Sequence, residues 1–217
     1  MHYLHNAFSN SATPRRLSRG DSPKRNARGF SMIEVLVSIV LLSFGLLGMV
    51  GMQASALKTN REARLQSAAI TLARELAEMI RGNKSIAILP TATNPYLGSF
   101  STIPLAAATP TYCLSVGTTA CISPAAVANA QMTEWLARVD AELPGARVDA
   151  CYDTAPFDAN GLPQWACTPG TGREIMVKIG WTRGSTDRSK SGAAALERAT
   201  GPTSVPTIVF PVTAGEP

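Results

Sequence analysis

Few side chains in this chain could do chemistry, and one of them stands where carboxylates are rare. Glu34 is the fifth residue of Phe30–Met52, a run whose only other polar side chains are Ser31, Ser38 and Ser43. An acid inside a membrane-length apolar segment is costly and normally there for function. The immediate context is Arg28-Gly29-Phe30-Ser31-Met32-Ile33-Glu34-Val35: a basic leader ending in glycine, then an aromatic that opens the apolar run.

Other chemistries are poorly supplied. Both histidines, His2 and His5, lie in the first 29 residues. Removal of that leader leaves no histidine, which excludes Ser-His-Asp and Cys-His catalysis and histidine-ligated metal. Asp158-Ala159-Asn160-Gly161 resembles a fragment of a calcium loop, but Pro156 stands where an acid is needed and the distal glutamate is missing, so it reads as a turn. No phosphate-binding loop, paired-carboxylate site or nucleophile elbow stands out. The expectation is therefore no catalytic residue, no metal and no cofactor. Trp135, Trp165 and Trp181 read as packing residues rather than a binding platform.

The four cysteines, Cys113, Cys121, Cys151 and Cys167, all lie beyond the apolar run. Even number and wide, non-CxxC spacing favour disulfides in an oxidising compartment over zinc. Three pairings are open. Cys113–Cys121 with Cys151–Cys167 is favoured because each closes a short loop.

The formal net charge of +5 is a matter of distribution. Residues 1–29 hold six bases and one acid, and residues 30–217 hold 14 of each. Cationic flanks stay on the cytoplasmic side of a span, so the excess is a topology signal. A nucleic-acid footprint would need a basic face on the folded part. Arg183, Arg188, Lys190 and Arg198 form the only candidate cluster, and charged loops are usually just solvated.

These residues need elements to hold them. Residues 1–29 are polar and aperiodic, and read as a disordered leader. Residues 30–52 would span about 34 Å as a helix, enough to cross the hydrocarbon core. A secretory signal cut after Ala54-Ser55-Ala56 fits poorly, since its apolar region would be shorter and free of acid. From Gln53 to Arg81 there is neither proline nor glycine, and Leu57, Leu65, Ala69, Leu72, Leu76, Met79 and Ile80 recur at helical spacing. One helix over about 31–81 is predicted, with an Arg74–Glu78 pair on its surface and an apolar stripe that a partner must cover. Residues 83–122 read as an irregular loop region. Ser123-Pro124 is an N-cap with proline at N1, opening a helix over 124–142 that Pro144-Gly145 ends. Arg147–Tyr152, Glu174–Trp181 and Thr207–Phe210 read as strands, the last an edge bounded by Pro206 and Pro211. The fold class is α+β, a long helix packed on a small antiparallel sheet.

Gly29-Phe30-Ser31-Met32-Ile33-Glu34-Val35-Leu36 resembles the class III signal of type IV pilins and type II secretion pseudopilins. Cleavage glycine, aromatic, fifth-position glutamate and apolar helix coincide, and the helix–loop–sheet order agrees with a pilin-like fold. The resemblance is closest to the minor pilins called type IV pilus modification proteins (PilV), carried by the N-terminal motif, the Gly45/Gly48 pattern, and Trp135…Leu143-Pro144-Gly145 before a cysteine-bearing strand.

The resemblance implies cleavage after Gly29 by a prepilin peptidase and N-methylation of Phe30. It implies that Glu34 neutralises the terminal amine of a neighbouring subunit. Gly45, Gly48 and Gly51 serve either close helix packing or local weakness where many pilins carry a proline. It implies four segments: leader 1–29, transmembrane half 30–52, amphipathic half 53–82 and periplasmic globular part 83–217. The partners are other minor and major pilins and the inner-membrane assembly platform, with nucleic acid not among them. The location is the bacterial inner membrane, cytoplasmic N-terminus and periplasmic C-terminal part, then the fibre. The implied role is a minor pilin that helps start fibre assembly. The alternatives are a type II secretion pseudopilin and a tip adhesin.

Overall fold

A helix over Met32–Gly82 (α1) runs without a break through the apolar run and on into the amphipathic stretch in the computed structural model, which describes residues 29–117, 119–169, 174–187 and 189–214. The chain divides at Gly51/Met52 into two units. In the first, every described residue is exposed.

In the second unit, α1 buries Ala69, Leu72, Ala73, Leu76, Ala77 and Ile80. These recur at three- and four-residue intervals, as one face of a helix requires. Leu57 departs from the predicted stripe. It is 71% exposed, because the globular part begins to cover the helix only near Leu65. Glu78 pairs with Arg81 at 2.7 Å, and the predicted Arg74–Glu78 pair is not among the ion pairs of the described residues. Glu75 reaches Arg138 on a neighbouring helix at 2.6 Å.

That neighbour is α3 (Pro124–Glu142). The Ser123 side chain accepts from the Ala126 amide at 3.1 Å, and Pro124 sits at the first helical position. Its buried face carries Met132, Trp135, Leu136 and Val139, and the Trp135 indole donates to the Leu72 carbonyl at 3.0 Å. Gly145 then turns the chain at φ +57, and a Cβ there would meet Thr182 Oγ1 at 2.6 Å. Only glycine takes both the conformation and the contact.

Residues 83–122 are more ordered than their composition suggests. They contain a short helix α2 (Lys84–Ala87), a 3-10 turn at Thr91–Thr93 and a strand β1 (Gly98–Phe100). Ile86, Tyr96, Leu97, Phe100 and Leu105 are buried. Side-chain amides and hydroxyls dock the segment: Asn94 Nδ2 donates to the Ala87 carbonyl at 3.1 Å, and the Tyr152 hydroxyl lies 2.9 Å from that same oxygen.

The sheet is antiparallel, in the order β1–β2–β3–β6, with β2 at Arg147–Tyr152, β3 at Glu174–Gly180 and β6 at Ile208–Thr213. Register sets Val148 opposite Ile179 and Val177 opposite Phe210. Alternation puts Val148, Ala150, Ile175, Val177, Ile179 and Val212 in the core with α1 and α3. β6 does not stop at Pro211 as predicted. Being an edge strand, it has one unpaired side on which a missing amide is tolerated. A two-residue hairpin, β4 (Arg183–Gly184) with β5 (Leu196–Glu197), stands apart from this sheet.

The opposite face of the sheet is also covered. A strap over residues 153–169 lies on β2 and β3, and its anchors are polar. Lys178 Nζ is 2.6 Å from Asp153 Oδ2 with both side chains fully buried, and it donates to the Ala166 carbonyl at 2.6 Å. Asp153 Oδ1 accepts from the amides of Ala155 and Thr168, each at 3.0 Å. Burial pushes the Asp153 carboxyl up. The Lys178 ammonium and the two amides outweigh it and hold the group below its ordinary range. The Arg147 guanidinium stacks over the Trp165 ring at 4.2 Å. A Cβ at Gly180 would meet Trp165 at 3.0 Å, so the strap could not lie this close over a larger residue.

Candidate functional site

Gly29, Phe30 and Ser31 precede α1, and Phe30 is 81% exposed. The Ser31 carbonyl accepts from the amides of Glu34 and Val35 at 3.0 and 3.3 Å, which starts the helix at Met32. The Gly29–Phe30 bond is therefore outside the helical hydrogen-bond ladder. Glu34 falls in the first helical turn, where the unpaired amides of a helix start favour a carboxylate.

Beyond Glu34 the helix is long and apolar enough to cross a membrane. Its hydroxyls turn inward on their own backbone. Ser38 donates to the Glu34 carbonyl and Ser43 to the Ile39 carbonyl, both at 2.7 Å. The helix continues through Gly45, Gly48 and Gly51, and a Cβ at any of the three would meet nothing within 4 Å.

The cysteines belong to the second unit. Cys113 is joined to Cys121 and Cys151 to Cys167. The first pair closes a loop between β1 and α3, and the second ties the strap to β2. Asp158 Oδ1 accepts from the amides of Asn160 and Leu162, both at 2.8 Å, and Gly161 has φ +77: the segment is a turn. Among the described residues no group of three or more His, Cys, Asp or Glu side chains could hold a metal ion. The predicted basic cluster is not assembled as four free cations. Arg183 pairs with Glu197 at 3.0 Å, and Arg188 lies outside the described residues.

The sequence reading missed a groove of about 860 Å³ between α1 and the β4–β5 hairpin, whose lining includes Lys58, Arg61, Leu65, Arg183 and Leu196. Lys58 and Arg61, one helical turn apart just past Met52, are its only legible signal, because a two-residue hairpin leaves no periodicity.

Against known protein families, residues 24–50 match the prokaryotic N-terminal methylation motif. Comparison with curated proteins gave no match, and comparison with solved structures gave none. The matched segment contains Gly29, Phe30 and Glu34, and it supports a type IV pilin-like protein. The pilin-motif family is structural rather than enzymatic. Motif and apolar helix together indicate a membrane-anchored, single-span chain. The α+β, pilin-like architecture agrees, with its long N-terminal helix and antiparallel four-stranded sheet.

Proposed function

We propose that this chain is a minor type IV prepilin, cut after Gly29 and N-methylated on Phe30, that promotes or initiates pilus assembly within a minor-pilin complex. The observation that carries the reading is the methylation motif over residues 24–50, set on an exposed apolar helix with Glu34 in its first turn. Residues 1–29 are the discarded leader, 30–52 the inner-membrane anchor and later the fibre-forming half, 53–82 the half that holds the sheet, and 83–217 the periplasmic part. Glu34 pairs with the amine of a neighbouring Phe30. A buried carboxylate paired in this way fixes subunit register and recovers most of its desolvation cost. Gly45, Gly48 and Gly51 provide close packing or stretch in the same segment. The partners are a prepilin peptidase, other minor and major pilins and the assembly platform.

The test is to shear surface fibres from cells and search them by mass spectrometry for a peptide that begins with methylated Phe30. Its presence supports processing and fibre incorporation together. The same peptide confined to the envelope favours a secretion pseudopilin, which a deletion strain resolves by losing secretion rather than fibres. An intact leader, or an N-terminus at Leu57, overturns the reading.

A further inference from the structure

We propose that the groove between α1 and the β4–β5 hairpin holds the phosphate of an acidic phospholipid on the globular side of the membrane. The inference rests on the single-span reading above and adds a lipid ligand to it. Two walls define the groove. One is α1, presenting Lys58, Arg61 and Leu65; the other is the hairpin, presenting Arg183, Gly184 and Leu196. The terminal carbon and nitrogen of Lys58 lie 3.4 Å from where a Gly184 Cβ would stand, so this side chain already reaches across to the hairpin.

The charges are unequally committed. Arg183 is tied to Glu197, which also accepts from Ser185 at 3.1 Å. Among the described residues neither Lys58 nor Arg61 has an ion-pair partner, and Glu62 is the one acid on the helical wall of the groove. Two unpaired cations one turn apart, beside Leu65 and a Leu196 that is 47% exposed, suit an anionic headgroup with an apolar shoulder.

Height along the helix selects lipid over a soluble anion. Lys58 is six residues past Met52, a rise of about 9 Å, and the headgroup layer is about 5–8 Å thick. The Lys58 end of the groove therefore borders the outer edge of that layer. The cationic leader that marks the other flank is lost on processing, so Lys58, Arg61 and Arg64 become the basic flank that the mature chain keeps.

The test is native mass spectrometry of the full chain released from detergent micelles, titrated with phosphatidylglycerol against phosphatidylethanolamine. The wild type should retain phosphatidylglycerol preferentially. The Lys58→Gln/Arg61→Gln variant should bind it about 25-fold more weakly, fivefold for each cation at an anionic surface. Leu196→Trp, which fills the groove at unchanged charge, should also lose the preference. Arg64→Gln, outside the groove lining, should lose no more than about fivefold. Equal retention of both lipids, a loss from Arg64→Gln as large as that of the double variant, or full binding by Leu196→Trp overturns the site. A chain that stays soluble without detergent or lipid overturns the single-span reading as well.

Discussion

Replacing Lys178 by methionine keeps the length of the side chain and removes the cation that faces Asp153. Both groups are fully buried and 2.6 Å apart, so Asp153 is left as an uncompensated carboxylate. Breaking a buried pair from one side costs about 3–5 kcal/mol. The Ala155 and Thr168 amides remain on Oδ1, which favours the lower end, about 3 kcal/mol. For a folded unit of this size that is a drop of roughly 6–12 °C in Tm. All three tryptophans lie beyond residue 130, so their fluorescence in a detergent-solubilised full chain reports on the globular part alone.

The pH dependence is the stricter test. The wild-type Asp153 carboxyl is held below its ordinary range, against burial, by Lys178 and the amides. Its stabilisation is present above the ordinary value of about 3.9 and is lost as pH falls through the lower folded value. Without Lys178 the carboxyl protonates at higher pH, so the gap between wild type and variant should narrow from pH 7 to pH 4. A gap below about 1 kcal/mol at pH 7, or one unchanged by acid, refutes the claim that this pair anchors the strap.

Leu76→Ala should cost about 2–5 kcal/mol in urea unfolding, because it opens a cavity where α1 meets the sheet, whereas Leu57→Ala should cost less than about 0.5 kcal/mol. Replacing Cys151 and Cys167 together by serine frees the strap from β2 and should cost about 3 kcal/mol by the loop-closure estimate, read in the same assay. Gly180→Val should displace Trp165, detected as increased fluorescence quenching by iodide. Glu34→Ala should leave membrane insertion unchanged and lower incorporation into fibres, measured by immunoblot of sheared material; normal incorporation would count against the assigned role.

Long periodic elements were legible. The α1 stripe from Leu65 onward, the Ser123-Pro124 start of α3 and the alternation of Ile175, Val177 and Ile179 each repeat a signal several times before the element ends. β1 and the β4–β5 hairpin are two or three residues long and never complete a period, so their pairing is set by neighbours rather than by their own sequence. Lys178 is hidden for a related reason: one lysine between Val177 and Ile179 reads as solvent-facing, and nothing local announces the strap above it. The methylation motif over residues 24–50 was legible because it ties residue type to position. Lys58 and Arg61 became recognisable only once the hairpin stood beside them.

The inward-turned hydroxyls of Ser38 and Ser43 have a mechanical consequence. Each donor is satisfied by the carbonyl one turn back, so neither residue offers that proton to a neighbouring helix. Between Met32 and Met52 this leaves Glu34 as the one charged side chain, while the two hydroxyls keep only their capacity to accept. The segment presents exposed apolar side chains and three glycines along its length, and a single charge near one end. Under the proposed function, apolar contacts along its length are non-directional, and the Glu34 contact is what would set the height at which one such helix stops against the next.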